Sequence, residues 1–217
     1  DKPFPPLRHL SEPAAQCVRQ SFAQSRLWFL HQLEPARAQH NILIRMVLNG
    51  PKLDTRRLKH ALDALCIRHP VLRTCYRTTQ AGSEQWLAAR QSIEVNTRDL
   101  QHLQTDAQFH VIDQLLHDEQ NRPFDLASGP VMRACLLELG EDEQELIIVI
   151  HHIAFDGRSG EILLQDLAHY YATQEPGALL PGRLQYADFA VWEPSYVSAE
   201  LIEAETAFWR DHLAGMP

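Results

Sequence analysis

The chain has 217 residues, 45% hydrophobic and 22% charged, the profile of an ordinary soluble globular domain and one long enough to bury a sizeable core. The net charge of −8, with Lys and Arg scattered, argues against a nucleic-acid partner, which needs basic residues gathered on one face. No apolar run approaches the roughly 20 residues needed to cross a bilayer, so no membrane partner is expected.

The start, Asp1-Lys2-Pro3-Phe4-Pro5-Pro6, lacks the basic and apolar segments of a signal peptide, and residues 1–15 read as a linker. From Ser21 to Leu33, the near-helical spacing of Leu27, Trp28, Leu30 and Leu33 predicts a helix with one apolar face. Asn41 to Leu48 reads as a strand ended by Asn49-Gly50-Pro51. Asp54 is the N-cap of a helix carrying Leu58, Ala61, Leu62 and Leu65 on one stripe, and Pro70 stops it. Leu72–Arg77 and Gln85–Ala89 read as short strands joined around Gly82, with a further strand at Ile93–Asn96.

Thr105 is expected to cap a helix running to about Glu119, with Phe109, Ile112, Leu115 and Leu116 inward. Asn121-Arg122-Pro123-Phe124-Asp125 breaks it. Val131–Leu139 and Glu145–Ile153 form a predicted hairpin; the second strand is apolar on both faces and therefore central in its sheet. A helix over Gly160–Ala172, with Ile162, Leu163, Leu167 and Tyr170 or Tyr171 inward, precedes a loop at Pro176–Arg183. The last helix, about Ala199–Leu213, carries Leu201, Ile202, Phe208 and Trp209. Strands outside a βαβ rhythm, with helices between them, predict an α+β sandwich on a mixed sheet. Cys17, Cys66, Cys75 and Cys135 form no C-x-x-C pair, so they read as small buried hydrophobes of a reducing, cytoplasmic protein rather than zinc ligands or disulfides.

The chemistry concentrates in His151-His152-Ile153-Ala154-Phe155-Asp156-Gly157. Two histidines close an apolar strand and an Asp-Gly turn leads into a helix. Strand alternation sends the two imidazoles to opposite faces, so one faces a cleft while the other packs inside. An imidazole titrates near neutrality and suits proton removal from an amine or alcohol. From spacing alone, a structural histidine is an equally available reading. A zinc site is disfavoured, because adjacent strand histidines point apart and no third ligand is placed.

This segment matches the HHxxxDG signature of the superfamily that contains chloramphenicol acetyltransferase and the condensation domains of nonribosomal peptide synthetases. Ser21 to Leu30 resembles the first condensation-domain motif almost position for position. Arg68-His69-Pro70-Val71-Leu72-Arg73-Thr74 resembles the second, RHExLRT, with Pro70 where glutamate is usual. Tyr186 to Trp192 matches the fourth, YxDFAxW, and Pro123 to Leu126 with Gly129-Pro130 is typical of the stretch before the histidines.

The resemblance covers the N-terminal half of the family pattern, so the chain is expected to be one lobe, residues 16–217, of a chloramphenicol acetyltransferase-like two-layer fold. The C-terminal lobe, with the other wall of the active-site tunnel, lies outside it, and the lobe alone is expected to lack activity. The resemblance implies amide formation between a donor acyl or peptidyl thioester and an acceptor amine. Both substrates ride on phosphopantetheine arms of carrier proteins within adjacent synthetase modules, and no cofactor is bound to the domain itself.

Carried over, His152 is the reacting histidine, as base or as positioning group, and His151 packs within the fold. Asp156 is structural, with an arginine such as Arg73, or one in the missing lobe, as candidate partner; Arg68 is a second ion-pairing candidate. Gly157 is a backbone requirement, and Arg158 stands beside the acceptor channel where an aromatic or apolar residue is common. Pro70 reads as a helix terminator. Epimerisation and ester formation share the fold. Ser159 to Leu163 fits condensation better than epimerisation, while the double histidine argues against heterocyclisation. A non-catalytic recruitment module is the different-class alternative.

Overall fold

In the computed structural model, residues 5–10, 17–88, 92–175 and 184–216 are described. Among the described residues, seven strands and six α-helices follow in chain order: β1 Cys17–Arg19, α1 Phe22–Leu33, β2 Asn41–Asn49, α2 Thr55–Arg68, β3 Thr74–Thr79, β4 Gly82–Leu87, β5 Val95–Asp99, α3 Thr105–Asn121, β6 Met132–Glu138, β7 Glu143–His151, α4 Gly157–Thr173, α5 Tyr186–Tyr196 and α6 Ala199–His212. Short 3₁₀ turns occupy Pro70–Arg73 and His152–Ala154.

The larger sheet has the order β2-β7-β6-β5. β7 pairs antiparallel with both β2 and β6, whereas β5 runs parallel to β6, so the sheet is mixed and β7 is central, as its two-faced apolarity predicts. Alternation along β7 sends Leu146, Ile148 and Ile150 to one face, where α2 supplies Leu58, Leu62 and Leu65 and α4 supplies Leu163, Leu167 and Tyr170. Ile147 and Val149 face the other way, onto Leu27 and Trp28 of α1 and Ile112 and Leu115 of α3. A smaller antiparallel sheet, β1-β4-β3, joins this second core through Tyr76. The arrangement is the expected α+β fold, with helices packed on a mixed sheet.

Helix starts follow elementary capping chemistry. Ser21 and Gln24 form a reciprocal capping box on α1, and Asp54 accepts from the Arg56 and Arg57 amides at the start of α2. At the other end of α3, the buried Arg133 and Asn41 side chains donate to the Glu119, Gln120 and Arg122 carbonyls, satisfying acceptors that the helix leaves open.

Several expectations shift. Gln104, not Thr105, occupies the N-cap of α3. Phe109 points out, because Gln108 takes the inward slot and donates to the Leu100 and Leu139 carbonyls. Ile162 also turns outward, since Asp166 occupies the inward stripe of α4 to meet Arg68 and His69. Leu33 is exposed at the end of α1. The first strand, β1, and the helix α5 were not apparent from periodicity. No side chain of α6 is buried among the described residues.

The loop expected at Pro176–Arg183 and most of the expected linker lie outside the described residues. Residues 5–10 run against α5: Trp192 donates its indole N–H to the Pro5 carbonyl at 2.7 Å, and the Leu10 amide donates to the buried Asp188 carboxylate at 2.8 Å. No helix among the described residues is long and apolar enough to cross a membrane.

Candidate active site

The histidine pair sits where β7 leaves the sheet. His151 is its last residue, opposite Asn41 of β2, and lies on the face that carries Ile147 and Val149. It is 4% exposed. Three rings enclose it edge-on, at centroid distances of 6.3 Å for His31, 6.0 Å for His40 and 6.2 Å for Phe124. The His151 Nδ1 accepts the Ile153 amide at 3.1 Å, so its proton resides on Nε2. Burial, followed by the His31, His40 and His152 charges, pushes its pKa down to about 3, and the ring is neutral at physiological pH.

One residue on, the chain tightens into the 3₁₀ turn and turns His152 outward, where it is exposed. The His152 amide donates to the His40 carbonyl at 2.8 Å. Its ring Nδ1 lies 2.6 Å from the Phe155 carbonyl oxygen. A carbonyl only accepts, so Nδ1 carries the hydrogen and the Nε2 lone pair is left free. The turn thus fixes both the orientation and the tautomer of an exposed imidazole. Phe155, which supplies the carbonyl, is buried between α2 and α4, so the acceptor is anchored in the core.

Asp156 does not pair with Arg73. It is the N-cap of α4, where Oδ1 accepts both the Ser159 amide at 2.9 Å and the Ser159 hydroxyl at 2.7 Å. These bonds, chiefly the hydroxyl, hold its carboxyl below the usual range. Gly157 opens the helix directly behind it. Arg73 spends its guanidinium on the Cys66 and Ala88 carbonyls, tying α2 to the end of β4.

Arg68 does form an ion pair, with Asp166 of α4 at 2.6 Å, and the same carboxylate oxygen meets His69 Nε2 at 2.7 Å. α2 and α4, the two helices beneath the His152–Ala154 turn, are thereby locked together. Arg158 is exposed and paired with Glu161 at 2.7 Å, both side chains being mostly in solvent. Pro70 opens the 3₁₀ turn directly after the α2 cap, and its carbonyl accepts the Thr74 hydroxyl at 2.9 Å. An apolar hollow beside the turn is lined by Val71, Leu72, Phe155, Ile162 and Leu163, with His69 at its rim.

Sequence reasoning missed His31 and His40. Neither lies near the motif in the chain; the antiparallel register Asn41↔His151 brings His40 to it, and the packing of α1 brings His31. Among the described residues, no group of three or more His, Cys, Asp or Glu side chains converges to hold a metal ion.

Comparison with known proteins agrees with the motif reading. Residues 14–217 match the Condensation domain family. The chain is 35% identical over 198 residues to a linear gramicidin synthase of Brevibacillus parabrevis, covering 90% of this chain and 2% of that protein. Among solved structures, the X-domain in its complex with OxyB from teicoplanin biosynthesis superposes with a TM-score of 0.82 at 26% identity, over 99% of this chain and 47% of that one. The starter condensation domain of rhizomide synthetase gives a TM-score of 0.73 at 22% identity, over 93% and 48%. The chain therefore spans about half the length of these solved relatives and a small part of the synthase.

Proposed function

The chain belongs to the condensation-domain family of nonribosomal peptide synthetases, and we propose that it supplies the histidine lobe of an amide-forming site. The observation that carries this reading is the 2.6 Å bond from His152 Nδ1–H to the Phe155 carbonyl, which leaves an exposed Nε2 lone pair in a fixed direction. An acceptor amine presents an N–H to that lone pair while its nitrogen attacks the donor thioester carbonyl. The C–N bond forms, the C–S bond breaks, and the amine proton passes through His152 or directly to the departing thiolate. Asp156, as helix cap, and His151, as neutral packing ring, hold the turn without joining the chemistry.

Substrates arrive on phosphopantetheine arms of carrier proteins, so recognition divides between this lobe and a second lobe closing over the exposed side of His152. Alone, the lobe binds without turning over. Burial of Cys66 and Cys135 pushes their thiols up to about 12 and about 11, which keeps them protonated and unreactive, and Cys75 is buried too; Cys17, read from the sequence as another buried hydrophobe, is instead exposed on the edge strand β1.

The test is amide formation by the chain extended through its second lobe, with donor- and acceptor-loaded carrier proteins, beside His152→Ala. A loss of about 10²–10⁴-fold in the variant supports proton transfer or tight positioning by His152. Equal product from both sinks that role. The likeness to the X-domain, solved in complex with OxyB, favours one second reading, a module that binds a partner enzyme. Carrier or partner binding with no product from either protein would favour it.

A further inference from the structure

The fourth motif of the sequence, Tyr186 to Trp192, opens α5 and has no part in the chemistry assigned to His152. Its polar side chains meet a different segment. Trp192 donates its indole N–H to the Pro5 carbonyl at 2.7 Å, and Asp188, 2% exposed, accepts the Leu10 amide at 2.8 Å. His9 Nδ1 stands 3.2 Å from the second Asp188 oxygen. Residues 5–10 are thus gripped at both ends by two side chains of one helix.

We propose that the motif makes α5 a preformed binding seat for residues 5–10, and that this strap leaves and retakes the seat without unfolding of the lobe. The seat is held by bonds of its own. The Gln185 amide donates to the Asp188 carboxylate at 2.6 Å, within the capping box of the helix. The Tyr186 hydroxyl lies 3.1 Å from that of Ser21, Glu193 accepts the Phe22 amide at 2.7 Å, and Ala190 is fully buried, so α5 is fixed to the start of α1 with or without the strap. The strap is built the other way. Pro6, Leu7, Arg8 and His9 are exposed, and neither hydrophobic core includes a residue of the 5–10 segment. A segment with few buried apolar contacts and a handful of hydrogen bonds opens at far lower cost than the domain that carries it.

Release changes two things at the seat. His9 lines a small hollow together with Val71 of the 3₁₀ turn, Thr74 of β3, Trp86 of β4 and Tyr186, so the hollow opens when the strap lifts. Asp188 gives up His9 and Leu10 and keeps the Gln185 amide. A buried carboxylate that has shed partners favours their return, and the return is intramolecular because the strap stays covalently attached. The two grips are therefore coupled: freeing Leu10 from Asp188 also loosens Pro5 from Trp192.

The experiment is limited trypsin digestion of the full chain, read by mass for the cut after Arg8. A protease needs a free, extended segment, so this rate follows the population of released strap. Each rate is referred to a free peptide of residues 1–14 with the same sequence, and the cut after Arg26, inside α1, reports wider unfolding. Wild type should be cut at Arg8 at least about tenfold more slowly than its peptide. Leu10→Pro deletes the amide that Asp188 accepts, and Trp192→Phe deletes the indole donor while keeping a ring. Each should lose about tenfold of that protection, with no faster cut at Arg26. Leu10→Pro should also shift the Trp192 indole N–H signal in NMR, which Trp192→Phe assigns. Leu10 lies outside both cores, so its variant decides the matter even where Trp192→Phe fails to fold. Wild type cut as fast as its peptide, Leu10→Pro protected like wild type, an unmoved indole signal, or cuts at Arg8 and Arg26 that rise together would each overturn the proposal.

Discussion

Replacing His151 with phenylalanine should make the stability of the protein less dependent on pH. In the folded chain this ring is 4% exposed and takes a proton only near pH 3, whereas in the unfolded chain an ordinary histidine does so near 6.5. Between those values the unfolded state binds the extra proton. Stability from this residue is therefore complete above about pH 6.5 and is lost as pH falls below it. Each unit well inside the window is about 1.36 kcal/mol, so lowering the pH from 7 to 5 removes about 2 kcal/mol. The result is insensitive to the folded-state value, since pH 5 already lies well above it. His151→Phe keeps a ring among His31, His40 and Phe124 but deletes the acceptor for the Ile153 amide. That orphaned donor costs about 1–2 kcal/mol at every pH. Urea unfolding at pH 7, 6 and 5 separates the two effects: the variant starts lower, and its loss on acidification is smaller by about 2 kcal/mol. Parallel lines for the two proteins would refute the claim that His151 is buried as the neutral ring.

Asp166→Asn removes the charge that Arg68 and His69 share; with those partners only partly exposed, about 2 kcal/mol should be lost, and thermal unfolding should begin several degrees lower. Ser159→Ala breaks the capping box of α4 at a cost of about 1 kcal/mol, and a two-lobe enzyme assay should show a loss if the cap steadies the His152 turn. Leu62→Ala opens a void at a site with 0% exposure between α2 and the sheet, costing about 2–5 kcal/mol in chemical denaturation while leaving the His152 ring signal in place.

The central strand was legible because Leu146 to Ile150 is apolar without alternation, and the helix starts because Ser21, Asp54 and Asp156 carry cap chemistry in one residue. The faces of helices were harder. Gln108 and Asp166 are polar by type yet point inward, each to satisfy a partner supplied from a distant part of the chain, and no periodicity rule foresees such partners. α5 escaped notice because its polar motif residues, Tyr186, Asp188 and Trp192, serve contacts with Ser21, Leu10 and Pro5 rather than an apolar stripe. At the site, the motif located His152 but not its surroundings. The choice of Arg73 as partner for Asp156 failed because a cap aspartate is already satisfied by its own helix, and Arg73 meets backbone carbonyls instead. His40 became visible only with the register of β2 against β7, a pairing across 110 residues of chain that local pattern does not encode.

The seating of residues 5–10 on α5 changes the reach of whatever is joined ahead of them. A tether held only from the first strand, at Cys17, would include the twelve residues from Pro5 onward, about 40 Å at full extension. With the Pro5 carbonyl fastened to Trp192 and Leu10 to Asp188, that slack is withdrawn, and the pivot of an attached body moves to the surface of α5.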